Sequence, residues 1–156
     1  MQNHLQNEKL LDEIGWNILD ALQENGRLSY SELGRLIGLS TPAVTERVRK
    51  LEDAGIITGY HAEVNPEMAG LRVTAYIRIR IQGGDINRIL KLIKKADEIV
   101  ECHRITGTGA FILKAHVSSI LHLEKLLDSF TPYALTETSI VLSSPISKRS
   151  LRRVVS

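Results

Sequence analysis

The sequence predicts an α+β chain made of two small domains, an all-helical one followed by one in which strands and helices alternate. Three observations predict it. Apolar residues recur at helical spacing, punctuated by glycine, as far as Gly55. A strict period-two run extends from Val73 to Gln82. Beyond it the order reads strand, helix, strand, strand, helix, strand. With 156 residues, 43% hydrophobic and 24% charged, the chain has room for two cores on the order of 60 residues each and a composition far from that of disordered chains.

Leu10, Ile14, Ile18, Leu19 and Leu22 share one face of a first helix, and Gly26 follows where it stops. Ser29 stands three residues before Glu32, the capping-box spacing. It opens a second helix whose Leu33, Leu36 and Ile37 share a face, ended by Gly38. After Gly38, Leu39 and Ser40 comes a third helix that the Ser40 hydroxyl can cap. Pro42 is tolerated in its first turn, and it stops near Ala54 and Gly55. Two helices joined by a glycine-containing turn of three or four residues make a helix-turn-helix, winged-helix-like here, whose second helix can enter the DNA major groove.

Projected at 100° per residue, the third helix turns Val44, Val48 and Leu51 inward. Pro42, Thr45, Glu46, Arg49 and Lys50 point away, with Ala43 toward the outside and Arg47 on the shoulder. Small residues at the start and long cations later let such a helix bring its end close to base edges while Arg or Lys reaches phosphate or guanine. The candidate DNA-binding residues are therefore Ser40, Thr41, Pro42, Ala43, Thr45, Glu46, Arg47, Arg49 and Lys50. The plainer alternative is a solvated face whose cations pair with Glu46, Glu52 or Asp53. The capped helix and glycine turn before it favour DNA.

Residues 55–62 read as a turn into a short strand, and Asn65, Pro66 and Gly70 mark a linker. Val73, Ala75, Ile77, Ile79 and Ile81 then alternate with Thr74, Tyr76, Arg78, Arg80 and Gln82, and Gly83 and Gly84 turn the chain. Ile86, Ile89, Leu90 and Ile93 form a helical stripe. Strands at 99–106 and 110–117 flank Gly107, Thr108 and Gly109 as a hairpin. Ile120, Leu123, Leu127 and Phe130 mark another helix before Pro132, and 136–143 is the last strand. This βαββαβ order is the ferredoxin-like arrangement, with both helices on one face of an antiparallel sheet. The opposite face invites a second copy of the domain, so a homodimer is expected. The boundaries are 1–60 for the helical domain, 61–70 for a strand and linker, 71–145 for the ferredoxin-like domain, and 146–156 for a basic tail.

Charge is uneven: residues 1–64 carry 6 Lys+Arg against 10 Asp+Glu, and residues 65–156 carry 14 against 8. An acidic helical domain is an unusual footprint for a DNA binder, so the case for DNA rests on local placement. The tail holds Lys148, Arg149, Arg152 and Arg153 with no acid, suited to phosphate contact or simply to solubility. Apolar runs fall short of the ~20 residues a membrane span requires, and Met1–Lys9 lacks a signal core. The lone Cys102 permits no internal disulfide. A reduced cytoplasmic protein with no membrane partner is expected, and the DNA-binding reading of the third helix would associate it with the nucleoid. Cys102 and His103 point to opposite faces of a strand and form no dyad, and a packed, buried cysteine is the simpler reading. His61, His103 and His116 lack metal-site spacing, so neither metal nor cofactor is expected.

Several ordered motifs resemble the Lrp/AsnC (leucine-responsive, feast-famine) family of transcription regulators from Leu11 to Leu142. Leu11, Asp12, Ile14, Ile18, Leu19, Leu22, Gly26 and Arg27 are similar to its first helix. Leu39 and Ser40 through Val44, Arg47, Val48, Leu51, Glu52, Gly55, Ile56 and Ile57 resemble its recognition-helix signature. Glu101, Cys102, His103, Thr106, Gly107, Thr138, Ser139, Val141 and Leu142 resemble its C-terminal signatures. The resemblance implies a regulator that dimerises through its C-terminal domains, often joins into tetramers or octamers, and bends or wraps double-stranded DNA. It also implies a small-molecule effector such as an amino acid bound near Gly107, Thr108, Gly109, Thr136 and Thr138. One position departs: Ala110 precedes Phe111 where the family usually carries an acid. An aspartate there could pair with an amino acid's ammonium, and alanine cannot.

Two other functions stay open on sequence alone. One is an architectural DNA-wrapping protein with little effector response, which Ala110 suits. The other is an enzyme like the sirohaem decarboxylases that resemble this family in fold, for which His103, His116 or Arg104 would meet an acidic macrocycle. The basic outer face of the third helix argues against an enzyme.

Overall fold

The computed structural model describes residues 9–81, 86–107 and 110–153. The chain divides into two units, one comprising Met1–Ala62 together with Ile146–Ser156, the other Glu63–Pro145. The first unit thus takes in the described residues 146–153 together with the helices.

The first unit contains α1 (Glu13–Glu24), α2 (Tyr30–Ile37) and α3 (Thr41–Asp53). Leu10 of the apolar stripe falls outside α1, which starts after Asp12 because Asp12 caps it, accepting the Gly15 amide at 2.8 Å. Helix α2 has the expected capping box: the Glu32 amide donates to Ser29 Oγ at 3.2 Å and the Ser29 amide to Glu32 Oε2 at 2.8 Å. Gly38 ends it in the left-handed region at φ 73°, which costs glycine nothing and most residues a steric penalty. Ile18, Leu33, Val44, Val48 and Leu51 are buried together, one cluster drawn from all three helices. Leu36, expected on the inner face of α2, is 65% exposed, because the contact stripe of this short helix runs through Leu33 and Ile37.

No strand forms over 55–62 among the described residues, which corrects the sequence reading. The amides of Ile56 and Ile57 donate back to the Leu51 carbonyl at 2.9 and 3.1 Å, closing α3, and no strand among the described residues pairs with the segment. Tyr60 donates its hydroxyl to Glu52 at 3.0 Å, and burial beside that carboxylate pushes the phenol up to about 12.

The second unit runs β1 (Val73–Ile81), α4 (Ile86–Lys95), β2 (Ile99–Arg104), β3 (Phe111–Val117), α5 (Ile120–Asp128) and β4 (Ala134–Ile140). Its antiparallel sheet has the order β2-β3-β1-β4, with the ladder Ile77↔Leu113 on one side of β1 and Ile77↔Thr138 on the other. This is the ferredoxin-like topology. Ala75, Ile77 and Ile79 of β1 and Phe111, Leu113, Ala115 and Val117 of β3 are buried with Ile89 and Ile93 of α4, Leu123 and Leu126 of α5, and Phe130. Both helices therefore cover one face, as the period-two pattern requires. The expected Gly83–Gly84 turn lies outside the described residues. The last strand ends at Ile140, short of Ser143, because its partner β1 begins at Val73 and the register Ala75↔Ile140 leaves little strand to pair with beyond it.

At one edge, His122 Nε2 lies 2.8 Å from Glu98 Oε1 and Ser118 Oγ lies 3.1 Å from His122 Nδ1. Glu98's own amide and His122 hold the Glu98 carboxyl below the usual carboxylate range. The cluster ties the start of α5 to the turn before β2.

Candidate nucleic-acid interface and effector region

Of the nine residues that sequence assigns to DNA contact, Ser40, Thr41, Pro42, Thr45, Glu46, Arg49 and Lys50 are exposed, while Ala43 and Arg47 are half-buried. The face is continuous because Val44, Val48 and Leu51 take the opposite side into the core. Ser40 serves as N-cap through its backbone, at φ −70° and ψ 152°, and its carbonyl accepts the Val44 amide at 3.0 Å. Its hydroxyl makes no capping bond, contrary to the sequence expectation, and stays exposed. Thr45 returns its hydroxyl to the Thr41 carbonyl at 2.8 Å.

The cations differ from one another. Lys50 Nζ lies 3.1 Å from Glu46, and Arg49 Nε lies 3.7 Å from Asp53, both exposed pairs one helical turn apart. Such pairs are worth about 0.3–0.5 kcal/mol and yield easily to a stronger anion. Arg47 is held differently. Its two terminal nitrogens donate to the two carboxylate oxygens of Asp12 at 3.2 and 2.9 Å, a fork joining the start of α1 to the middle of α3. The Gly15 amide, with help from Arg47, holds the Asp12 carboxyl below its usual range. Arg47, expected as a DNA contact, is thus engaged within the domain. Its three cations against Glu46, Glu52 and Asp53 leave α3 with no net charge.

Sequence reasoning missed Asp12 as Arg47's partner, although an Asp three residues before Gly15 is a readable cap signal. It also missed Gly34. A Cβ there would lie 2.6 Å from the Leu39 carbonyl oxygen, so the tight turn into α3 depends on this glycine as well as on Gly38.

In the second unit, Gly107 takes φ 92° in the β2–β3 hairpin, while Thr108 and Gly109 lie outside the described residues. The Ala110 amide donates to the Ile79 carbonyl at 2.8 Å, and Thr136 pairs with Ile79 from the other side. Ala110 and Thr136 therefore flank β1 at one end of the sheet, about 10 Å apart by strand spacing, with Thr138 two residues along β4. All three are half-buried.

The open sheet face carries Thr74, Tyr76, Arg78 and Arg80 of β1 beside Ile112, Lys114 and His116 of β3. It is the wet face of the period-two pattern, with Tyr76 and Ile112 as apolar members. Lys114 pairs with Glu101 at 3.0 Å, and Thr74 Oγ1 lies 2.9 Å from His116 Nδ1. Cys102 is exposed, not buried, because it lies on β2, an edge strand that the helices barely cover. Partial burial pushes its thiol up, so it is a poor nucleophile at neutral pH. His103, opposite Ile112, and His116, four residues along β3, are about 13 Å apart, and Arg104, opposite Phe111, belongs to the other face. The three groups proposed for tetrapyrrole chemistry do not converge. Among the described residues no helix is long and apolar enough to cross a membrane, and no group of three or more His, Cys, Asp or Glu is placed to hold a metal.

Residues 11–58 match the winged helix-turn-helix DNA-binding family, and residues 74–151 match the Lrp/AsnC ligand binding domain. The HTH-type transcriptional regulator LrpC of Bacillus subtilis is 39% identical over 133 residues, 85% of this chain and 92% of that one. The LrpC structure superposes with a TM-score of 0.85 at 38% identity, covering 88% of this chain and 99% of its own. The leucine-responsive regulatory protein of Escherichia coli K12 is 38% identical over 122 residues, 76% of this chain and 74% of that one. A Neisseria meningitidis transcriptional regulator, solved as a complex with L-Met, has a TM-score of 0.83 at 29% identity, covering 90% and 96% of the two chains. These relatives are transcriptional regulators, which removes the decarboxylase alternative. With the helix-turn-helix and the ferredoxin-like sheet both present at matching positions, the chain belongs to the Lrp/AsnC family of transcriptional regulators.

Proposed function

We propose that this regulator reads duplex DNA with sequence preference through the exposed face of α3, and works as an assembly of dimers. The observation that carries the reading is that face itself. Ser40, Thr41, Pro42, Ala43 and Thr45 leave the start of the helix slim enough to approach base edges, and Arg49 and Lys50 follow within reach of phosphate. Arg47 acts from behind, orienting α3 through Asp12.

The open sheet face meets a second copy, burying Tyr76 and Ile112, and two or more such dimers join into the DNA-bending form. A small molecule such as an amino acid binds at the sheet end formed by Gly107, Ala110, Thr136 and Thr138, with Thr108 and Gly109. The L-Met complex of the Neisseria relative supports the ligand class. Ala110 offers no carboxylate to an ammonium, so the backbone and threonine hydroxyls must hold that end. The same alanine favours a second reading, an architectural protein of the nucleoid that wraps DNA without an effector.

The test compares binding to the protein's own upstream DNA and to a random duplex at fixed salt, with Thr45→Ala and Arg49→Ala in parallel. A preference for upstream DNA that both changes weaken supports reading by α3. Equal affinity for the two duplexes favours the architectural role, and no binding at low salt overturns both.

A further inference from the structure

Among the described residues, segment 146–153 is anchored to the helix-turn-helix unit at Leu151. The Leu151 amide donates to Gln23 Oε1 at 2.8 Å, and Gln23 Nε2 donates back to the Leu151 carbonyl at 3.0 Å. One amide side chain near the end of α1 thus takes both backbone groups of a single residue, as a neighbouring strand would, and fixes the direction of the segment. The Leu151 side chain is itself 76% exposed, so apolar burial does not explain the docking. Lys148 and Arg149 precede the anchor, Arg152 and Arg153 follow it, and all four are exposed. Among the described residues none of them makes an ion pair. Residues 1–62 carry 6 Lys+Arg and 9 Asp+Glu, a balance of −3; residues 146–156 carry 4 and none, a balance of +4; the unit as folded stands at +1.

We propose that segment 148–153 is a second DNA-contact element of the helix-turn-helix unit, a phosphate-binding strap held by Gln23. It supplies the positive charge that the acidic helices lack. The inference rests on the reading that this unit binds duplex DNA. Within that reading the labour is divided: α3 has no net charge and reads bases, while the strap engages the backbone without regard to sequence.

The experiment measures binding of the full-length protein to its upstream duplex and to a random duplex across a salt series. It uses wild type, a variant with Lys148, Arg149, Arg152 and Arg153 all changed to Gln, a charge-keeping variant with the three arginines changed to Lys, and Gln23→Ala. Each phosphate contact contributes about 0.9 to the slope of log K against log salt. The expected result is a slope smaller by about 2 to 4 in the Gln variant on both duplexes, with the upstream-to-random ratio kept. The Lys variant should retain the wild-type slope, and Gln23→Ala should lose about 3- to 10-fold in affinity. A slope unchanged in the Gln variant overturns the strap, as does a Gln variant that loses only the sequence preference. A wild-type protein that binds both duplexes equally sinks base reading by α3, yet its slope still decides the strap. A wild type that binds neither at low salt overturns both.

Discussion

The Arg47–Asp12 fork gives the sharpest test of how the reading helix is held. Asp12 has two roles, capping α1 through the Gly15 amide and receiving both Arg47 nitrogens at 2.9 and 3.2 Å. The Arg47 side chain is 30% exposed and that of Asp12 42%, so solvent screens the pair and its coupling is set at about 0.5–1 kcal/mol. Removing the cap adds about 1 kcal/mol. Arg47→Ala should therefore cost about 0.5–1 kcal/mol, Asp12→Ala about 1.5–2, and the double variant no more than Asp12→Ala plus a few tenths. Trp16, the chain's single tryptophan, lies in α1 and donates its amide to the Asp12 carbonyl at 3.0 Å, so its fluorescence reports unfolding of this unit alone. For a domain of this size, 1 kcal/mol moves the midpoint by about 4–8 °C. Asp12's carboxyl is held low in the folded state, so the stabilisation is present above the unfolded carboxylate value near 3.9 and vanishes as pH falls through the lower folded value. If Arg47→Ala leaves the Trp16 midpoint and the double-mutant coupling at zero but lowers DNA affinity tenfold or more, Arg47 is a DNA contact and the orienting role is wrong.

Three further outcomes follow from the packing. Gly34→Ala, which would raise intrinsic helix propensity by about 1 kcal/mol, should instead destabilise the first unit by roughly 1–3, because its methyl meets the Leu39 carbonyl at 2.6 Å; urea unfolding followed at Trp16 would show the sign. Phe130→Ala should cost the second unit about 3–5 kcal/mol, since Phe130 is fully buried against both helices and the sheet; far-UV circular dichroism in urea would measure it. Glu98→Gln should flatten the acid limb of the second unit's stability: the lowered carboxyl stabilises above its unfolded value and loses that contribution as pH falls through the folded one. Thermal melts between pH 3 and pH 6 that showed no flattening would refute a stabilising role for the ionised Glu98 carboxylate.

What the sequence determined by itself was local and periodic. Ser29 with Glu32, Gly38, and the spacing of Val44, Val48 and Leu51 were enough to place two helices at a tight turn, because capping and amphipathic burial act over three or four residues. The alternation from Val73 to Ile81 likewise placed the strand and its dry face. Where it went astray, the missing information was the partner. A strand over 55–62 had suitable residues but no partner strand among the described residues, Ser143 lay beyond the end of β1, and Cys102 was apolar in type but on an uncovered edge. Only the tertiary structure decided the charges. Arg47 sat on the shoulder of the helical projection and was grouped with Arg49 as a DNA contact, yet a carboxylate 35 residues earlier engages it. The basic stretch from Lys148 to Arg153 suited phosphate contact or mere solubility, and no spacing in it pointed to Gln23, 128 residues from Leu151, which holds it at Leu151. Side-chain bonds at such separations have no period and no fixed spacing, so they become visible only once the backbone has brought the two ends together.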